Sequence, residues 1–361
     1  MEPIFVKRFV HRYSPQMPMV HAPTITELPS GDLMAAWFGG TAEGKADVNI
    51  WYAKLPKGSD KWTEPKILVD IPGNSDQNPV LFVNRDNVTW LLWTSFPERE
   101  GFKGSMIMYM KSYDSGETWT EPKPLVRRRG YWTKHPPVIR KDGTIILPIY
   151  DELYHPNRVY ILISEDSGQS WDAYGPIMYC CGCIQGAIVE LSNGDLLMFM
   201  RPRSHPKFPF LQGCKKEFTV EVEPGITIKK TVKGSIGAFT IMSISKDGGK
   251  TWSEPIETMF KNPDSAISLI KLCDNSLVLA YNDSHVGRAP LNVALSEDEG
   301  RTWPYIKTVE PSEGVFAYPF LTQSSDGMIH LVYSWFYLKI AHTMFNKEWL
   351  KTSEGSSYCQ S

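Results

Sequence analysis

The stretch "SISKDGGKTW", Ser243 to Trp252, sets a serine, an aspartate two residues on, a glycine two further, then threonine and tryptophan. The same order returns in "KSYDSGETW" (111–119), "LISEDSGQSW" (162–171) and "ALSEDEGRTW" (294–303). The serines Ser112, Ser164, Ser245 and Ser296 stand 52, 81 and 51 residues apart, and "GSDKWTEP" (58–65) reads as a degenerate earlier copy. In such a stretch the aspartate accepts local backbone N–H bonds, the glycine permits a left-handed turn, and the tryptophan fills space between neighbouring sheets. The repeated turn therefore builds the fold. A calcium loop is excluded, because further carboxylates at alternating positions and a closing bidentate glutamate are missing.

A second turn interleaves with the first: "SGDLMAAW" at Gly31, "RDNVTWLL" at Asn87, "KDGTIILP" at Gly143, "SNGDLLMF" at Gly194, "CDNSLVLA" at Asn275 and "SDGMIHLV" at Gly327. Each has the Asp/Asn/Gly chemistry of a tight hairpin between β-rich runs. Six such turns at near-constant spacing define six units of about fifty residues, in the range of propeller blades. The expected fold is all-β: a six-bladed β-propeller of four-stranded antiparallel blades, one domain over residues 1–361. The strand "PIFVKRFV" near the N-terminus is placed to complete the last blade beside the C-terminal segment, which closes the ring without free edges. The long interval carries an inserted hairpin at about 207–235, "KEFTVEVEPGITIKKTVKG" around Pro-Gly, which protrudes either as decoration or as a flap or contact ribbon near one face.

Composition excludes several classes. A formal charge of −2 gives no net attraction to nucleic acid or anionic lipid, and the run Arg127-Arg128-Arg129 is too short to change that. No apolar run reaches the roughly 20 residues of a membrane span, and "MEPIFVKRFVHRY" lacks the features of a signal peptide, so a cytoplasmic location is expected. The six cysteines show no disulfide framework, and Cys180, Cys181 and Cys183 lack partners for a zinc site, so reduced thiols are expected.

Chemistry in a propeller belongs where the innermost strands converge on the axis. About eight residues before each hairpin turn lie "VHAPT" with His21, "DQNPV" with Asp76, Gln77 and Asn78, and "TKHPP" with Lys134 and His135. The remaining units give "CIQGA" with Gln185, "NPDSA" with Asn262 and Asp264, and "FAYPF" with Tyr318. Polar residues at one level of all six units exceed what a core tolerates unpaired, and imply a polar axial pocket.

Over nearly its whole length the chain resembles the sialidase superfamily, in its branch with Asp boxes. "VELSNGDLLMFMRPR" is similar to the segment that delivers one carboxylate-binding arginine, implying Arg201; "HVGRAPLNVALSEDEGRTW" implies Arg288; and "GVFAYPFLTQSSDG" implies Tyr318 as nucleophile. The chain departs from that pattern where His21 replaces the first arginine and Gln185 the glutamate that partners the tyrosine. An amide cannot take the proton of a phenol with pKa about 10, so another carboxylate must serve or the mechanism differs. "WFGGTAEGKADVNIW" offers Asp47 first and Glu43 second as general acid/base, and "LPIYDELYHP" offers Asp151 and Glu152 for contacts.

The resemblance implies an exo-glycosidase acting on a terminal acidic sugar of a glycan, without metal or cofactor. Arg201 and Arg288 would hold the carboxylate, with His21 or Lys134 as a third contact, and Asn78 and Trp37 would recognise sugar. Two alternatives stay open: a uronate lyase using Tyr318 and His21, and a glycan-binding propeller without catalysis.

Overall fold

The computed structural model describes residues 2–203, 215–233 and 238–352. Each of the six hairpin turns has its expected left-handed residue, with φ of 86° at Gly31, 60° at Asn87, 91° at Gly143, 87° at Gly194, 70° at Asn275 and 85° at Gly327. Glycine or asparagine stands at each because other side chains adopt this conformation at a cost.

Those turns join the two inner strands of six antiparallel sheets, and the chain is a six-bladed β-propeller with only 4% helix. The innermost strands are Met19–Glu27, Asn74–Val83, Cys183–Glu190, Ser268–Lys271 and Phe316–Gln323; in blade 3 the strand is broken into Tyr131–Trp132 and Val138–Ile139. Their partners are Leu33–Gly40, Thr89–Pro97, Ile145–Asp151, Leu196–Pro202, Leu277–Asn282 and Ile329–Trp335. Blade 6 is completed from the other end of the chain, since Phe5–Phe9 pairs antiparallel with Lys339–Phe345.

The four Asp boxes use one bonding scheme. In the third, Ser245 Oγ donates to Asp247 Oδ1 (2.9 Å) and accepts from Gly249 N (2.8 Å), while Thr251 N donates to the same carboxylate oxygen (2.9 Å). Trp303 of the last box packs between sheets, 6.1 Å from Phe199 and 5.3 Å from Phe260 by ring centroid. Because neighbouring strands are antiparallel, these turns lie at the same end of the ring as the hairpin turns. The opposite end of the axis is left to the starts of the inner strands and the ends of the second strands.

Five blades share a further device at that end. Ala22, Asn78, Gln185, Asp264 and Tyr318, at equivalent positions, have φ between 49° and 55°. In four of the blades the ladder register shifts there, between His21 and Thr24, Gln77 and Val80, Ile184 and Ala187, and Ala317 and Phe320. These are β-bulges, which re-aim side chains at the rim of a sheet.

The inserted hairpin pairs Lys215–Glu223 with Ile226–Lys233. It leaves blade 4 and packs on blade 6: Phe218 meets Phe336 (5.4 Å), Lys339 Nζ donates to Val222 O (2.9 Å), and Tyr13 N donates to Glu223 Oε1 (2.9 Å). Over its described residues the hairpin is a ribbon packed against the ring rather than free decoration; residues 207–214 and 234–235 of the expected insertion lie outside the described residues.

Candidate active site

At the axial end free of turns lies a cavity of about 420 Å³. Inner strands supply Met19, His21, Asn78, Ile184, Gln185 and Tyr318 to its wall. Every blade adds a residue just beyond its second strand: Glu43, Phe102, Glu152, Arg203, Arg288 and Tyr337 in blade order.

The Tyr318 hydroxyl accepts from Arg201 Nη1 (2.9 Å) and Gln185 Nε2 (3.1 Å). Arg201 Nη1 also donates to Gln185 Oε1 (3.2 Å), which fixes the amide with its NH₂ toward the phenol. Arg201 Nε is bonded to Asp264 Oδ1 (2.6 Å), and Arg203 approaches the same oxygen at 3.5 Å. One carboxylate thus serves two guanidinium groups. The Gln185 amide also reaches the Tyr150 hydroxyl (3.4 Å), which takes a bond from Asn78 Nδ2 (3.3 Å).

Arg288 donates from Nη1 to the Tyr337 hydroxyl (2.8 Å), and its guanidinium carbon lies 5.3 Å from the centre of the Tyr318 ring. Among the described residues no carboxylate lies within ion-pair distance of it. The His21 ring stands 4.1 Å from that of Tyr318, with Nδ1 bonded to Ser334 Oγ (2.8 Å). Burial, reinforced by the charges of Arg288, Lys134 and Arg201, holds His21 well below its ordinary pKa, so it is a neutral imidazole and not the cation considered as a third carboxylate contact.

Among the described residues two carboxylates face the cavity. Burial raises Glu152 above the usual range, against the pull of Arg203 and Arg201. Glu43 is exposed as a residue, yet desolvation at the cavity wall raises it too, against Arg288 and Arg201.

The structure brings together Tyr318, Gln185, His21, Arg201, Arg288, Asn78 and Glu43, and places four other candidates off the cavity. Asp47 is exposed and folds back on its own loop, accepting from Thr41 N (3.1 Å) and Thr41 Oγ1 (3.0 Å). Trp37 is fully buried, stacked on His11 at 5.0 Å. Asp151 is buried behind Tyr150 and Glu152, accepting from Tyr154 N (3.3 Å). Lys134 lies buried beneath Tyr318, 5.6 Å from its ring centre, and donates to Pro23 O (3.3 Å); burial lowers it to about 7. Missed from the sequence were Arg203, Tyr337, Phe102 and Lys230. Arg203 was signalled by "MRPR", two residues beyond Arg201; Lys230 had no local signal.

Among the described residues no group of three or more His, Cys, Asp or Glu side chains is placed to hold a metal ion, and no helix is long and apolar enough to cross a membrane.

The model of the BNR repeat-like domain matches residues 31–215 and 233–331 of this chain. The chain belongs to the BNR-repeat family. Relatives of this BNR-repeat protein include a sialidase of Bacteroides fragilis (strain YCH46), 23% identical over 319 residues, 83% of this chain and 52% of that protein. A sialidase of Micromonospora viridifaciens is also 23% identical, over 380 residues, 92% of this chain and 52% of that one. The BNR-repeat protein thus spans about half the length of these curated relatives. Among solved structures, a Dyadobacter fermentans protein of unknown function superposes with TM-score 0.73 at 17% identity, covering 94% of this chain and 99% of that one. The NanB sialidase of Streptococcus pneumoniae gives 0.71 at 14%, covering 94% and 70%. The likenesses to these solved structures show that the BNR-repeat protein has the fold of the sialidase among them.

Proposed function

We propose that this protein is an exo-acting glycosidase that removes a terminal acidic sugar, of sialic acid or uronic acid type, from a glycan, with no metal or cofactor. The observation that carries the reading is Arg288, a guanidinium on the cavity wall with no acidic partner among the described residues, beside the Tyr318 ring. A planar, permanently charged fork in that position suits a carboxylate. Arg288 and Arg201 hold the acid, which seats the anomeric carbon over Tyr318. Glu43 takes the place assigned from sequence to Asp47 and gives its proton to the leaving oxygen; desolvation favours the protonated form it needs. The sialidase names of the two relatives support the same substrate class.

A second reading, elimination from a uronate, is favoured by one feature. Both bonds at the Tyr318 oxygen arrive from donors, so its own proton points elsewhere, next to a neutral imidazole. Tyr318 as acid and His21 as base would suit that chemistry.

Product analysis on a panel of acidic glycosides and oligosaccharides tests the proposal. Hydrolysis releases a free reducing sugar. An unsaturated product absorbing in the ultraviolet replaces hydrolysis with elimination, and ligand binding without either product removes the enzyme reading.

A further inference from the structure

Among the described residues, one residue of the cavity wall belongs to no blade. Lys230 comes from the hairpin inserted into blade 4, and it lines the cavity with Arg288 and Tyr337. The ladder of the hairpin explains how it gets there. Lys230 pairs directly with Phe218, and directly paired residues in an antiparallel ladder point to the same side. Phe218 packs on Phe336 at 5.4 Å, so Lys230 faces the next residue of that loop, with Nζ 5.9 Å from the Tyr337 ring centre. Val220 and Val222 are buried, and the bonds from Lys339 and Tyr13 hold the hairpin end. The lysine is thus delivered on an anchored element.

Its charge is not spent within the protein: among the described residues no carboxylate lies within ion-pair distance of Lys230. Half-burial lowers its pKa with nothing opposing, the condition of a cation desolvated without a partner. The hydroxyl of the same Tyr337 accepts from Arg288, the other cavity cation without an ion-pair partner among the described residues. Among the described residues the cavity thus holds two cations without an ion-pair partner next to one phenol, while Arg201 and Arg203 share Asp264.

We infer that Lys230 is a substrate-binding residue, the third cation that contacts the carboxylate of the sugar acid, and that the inserted hairpin exists in this site to deliver it. The inference rests on the acidic-sugar reading above and adds the residue that sets its charge preference. His21, in the adjoining wall, does not compete for that role, since it is neutral there.

The test measures binding, not turnover. N-acetylneuraminic acid, glucuronic acid and the methyl ester of each are titrated by NMR into the full chain and into Lys230→Met, Lys230→Arg, Lys229→Met and Arg288→Ala. The intact protein is expected to prefer at least one acid over its ester. Lys230→Met should cut that preference about tenfold, and Lys230→Arg should retain most of it. Lys229 is exposed and adjacent, so its side chain points to the other face of the hairpin, and Lys229→Met should change nothing. If Lys230→Met keeps the full preference while Arg288→Ala loses it, the assignment of Lys230 falls and the substrate reading stands. An equal loss in Lys229→Met also overturns it, because general charge would then explain the effect. An intact protein that prefers neither acid to its ester overturns both.

Discussion

Arg201 and Gln185 hold each other in place before any ligand arrives, and the Tyr318 hydroxyl is the point on which both act. Replacing Tyr318 by Phe removes the oxygen while leaving the ring against His21, so turnover on an acidic glycoside should fall by several powers of ten with little change in thermal midpoint. Unchanged turnover in that variant excludes the phenol from the chemistry. Glu43 carries the pH dependence: a general acid works while protonated, so activity should decline as pH rises through its elevated pKa. In Glu43→Gln that alkaline limb should vanish along with most of kcat; a profile identical to the parent would assign the limb to another group. Much of the site was legible because Tyr318, Gln185 and Asn78 sit at a fixed offset from turns that the sequence marks clearly, with His21 one residue further from its turn. Asp47 was not, since its loop turns back on Thr41, and spacing along a loop carries no information about direction. Trp37 misled for a related reason: strand position gave its level, but the pleat sends it to the buried face.

At the scale of one element, the Asp box trades a charged side chain for a closed turn. Asp247 takes bonds from Ser245 Oγ, Thr251 N and Thr251 Oγ1, the last at 2.5 Å, and those bonds hold its pKa down to about 2. Asp247→Ala should destabilise the protein by about 1 kcal/mol, as loss of a comparable cap does in a helix, measured by denaturant midpoint. A variant as stable as the parent would mean that the turn holds without its carboxylate. The pH sign follows from the depressed pKa: the stabilisation is complete above the ordinary carboxylate value and is lost as pH falls through about 2. The hairpin was read correctly as two strands about Pro-Gly, yet its role was not legible. Alternation tells which residues share a face and leaves open what covers that face, here Phe336 and Lys339 from a blade more than a hundred residues away.

For the whole molecule, closure depends on a strand borrowed from the opposite end of the chain. Phe5 stacks on Trp349 at 4.4 Å, and Lys7 pairs with the buried Glu310, so the first strand joins three parts of the C-terminal third. Deleting residues 1–10 should expose the edge strand Lys339–Phe345, lower the thermal midpoint and promote association, checked by calorimetry and light scattering. A monomer of unchanged midpoint would show that the ring closes without it. The ring itself was legible from its turns, because a tight hairpin demands particular residues wherever it occurs. The five left-handed positions, four of them at bulges, were not marked in that way. Ala22, Asn78, Gln185, Asp264 and Tyr318 occupy one left-handed socket in five blades, and the main chain of the blade, rather than its occupant, sets the shape of that socket. Methyl, amide, carboxylate and phenol are interchangeable to the backbone there and opposed in chemistry. A site assembled from such sockets can be recomposed one blade at a time, and the ring keeps no record of the exchange.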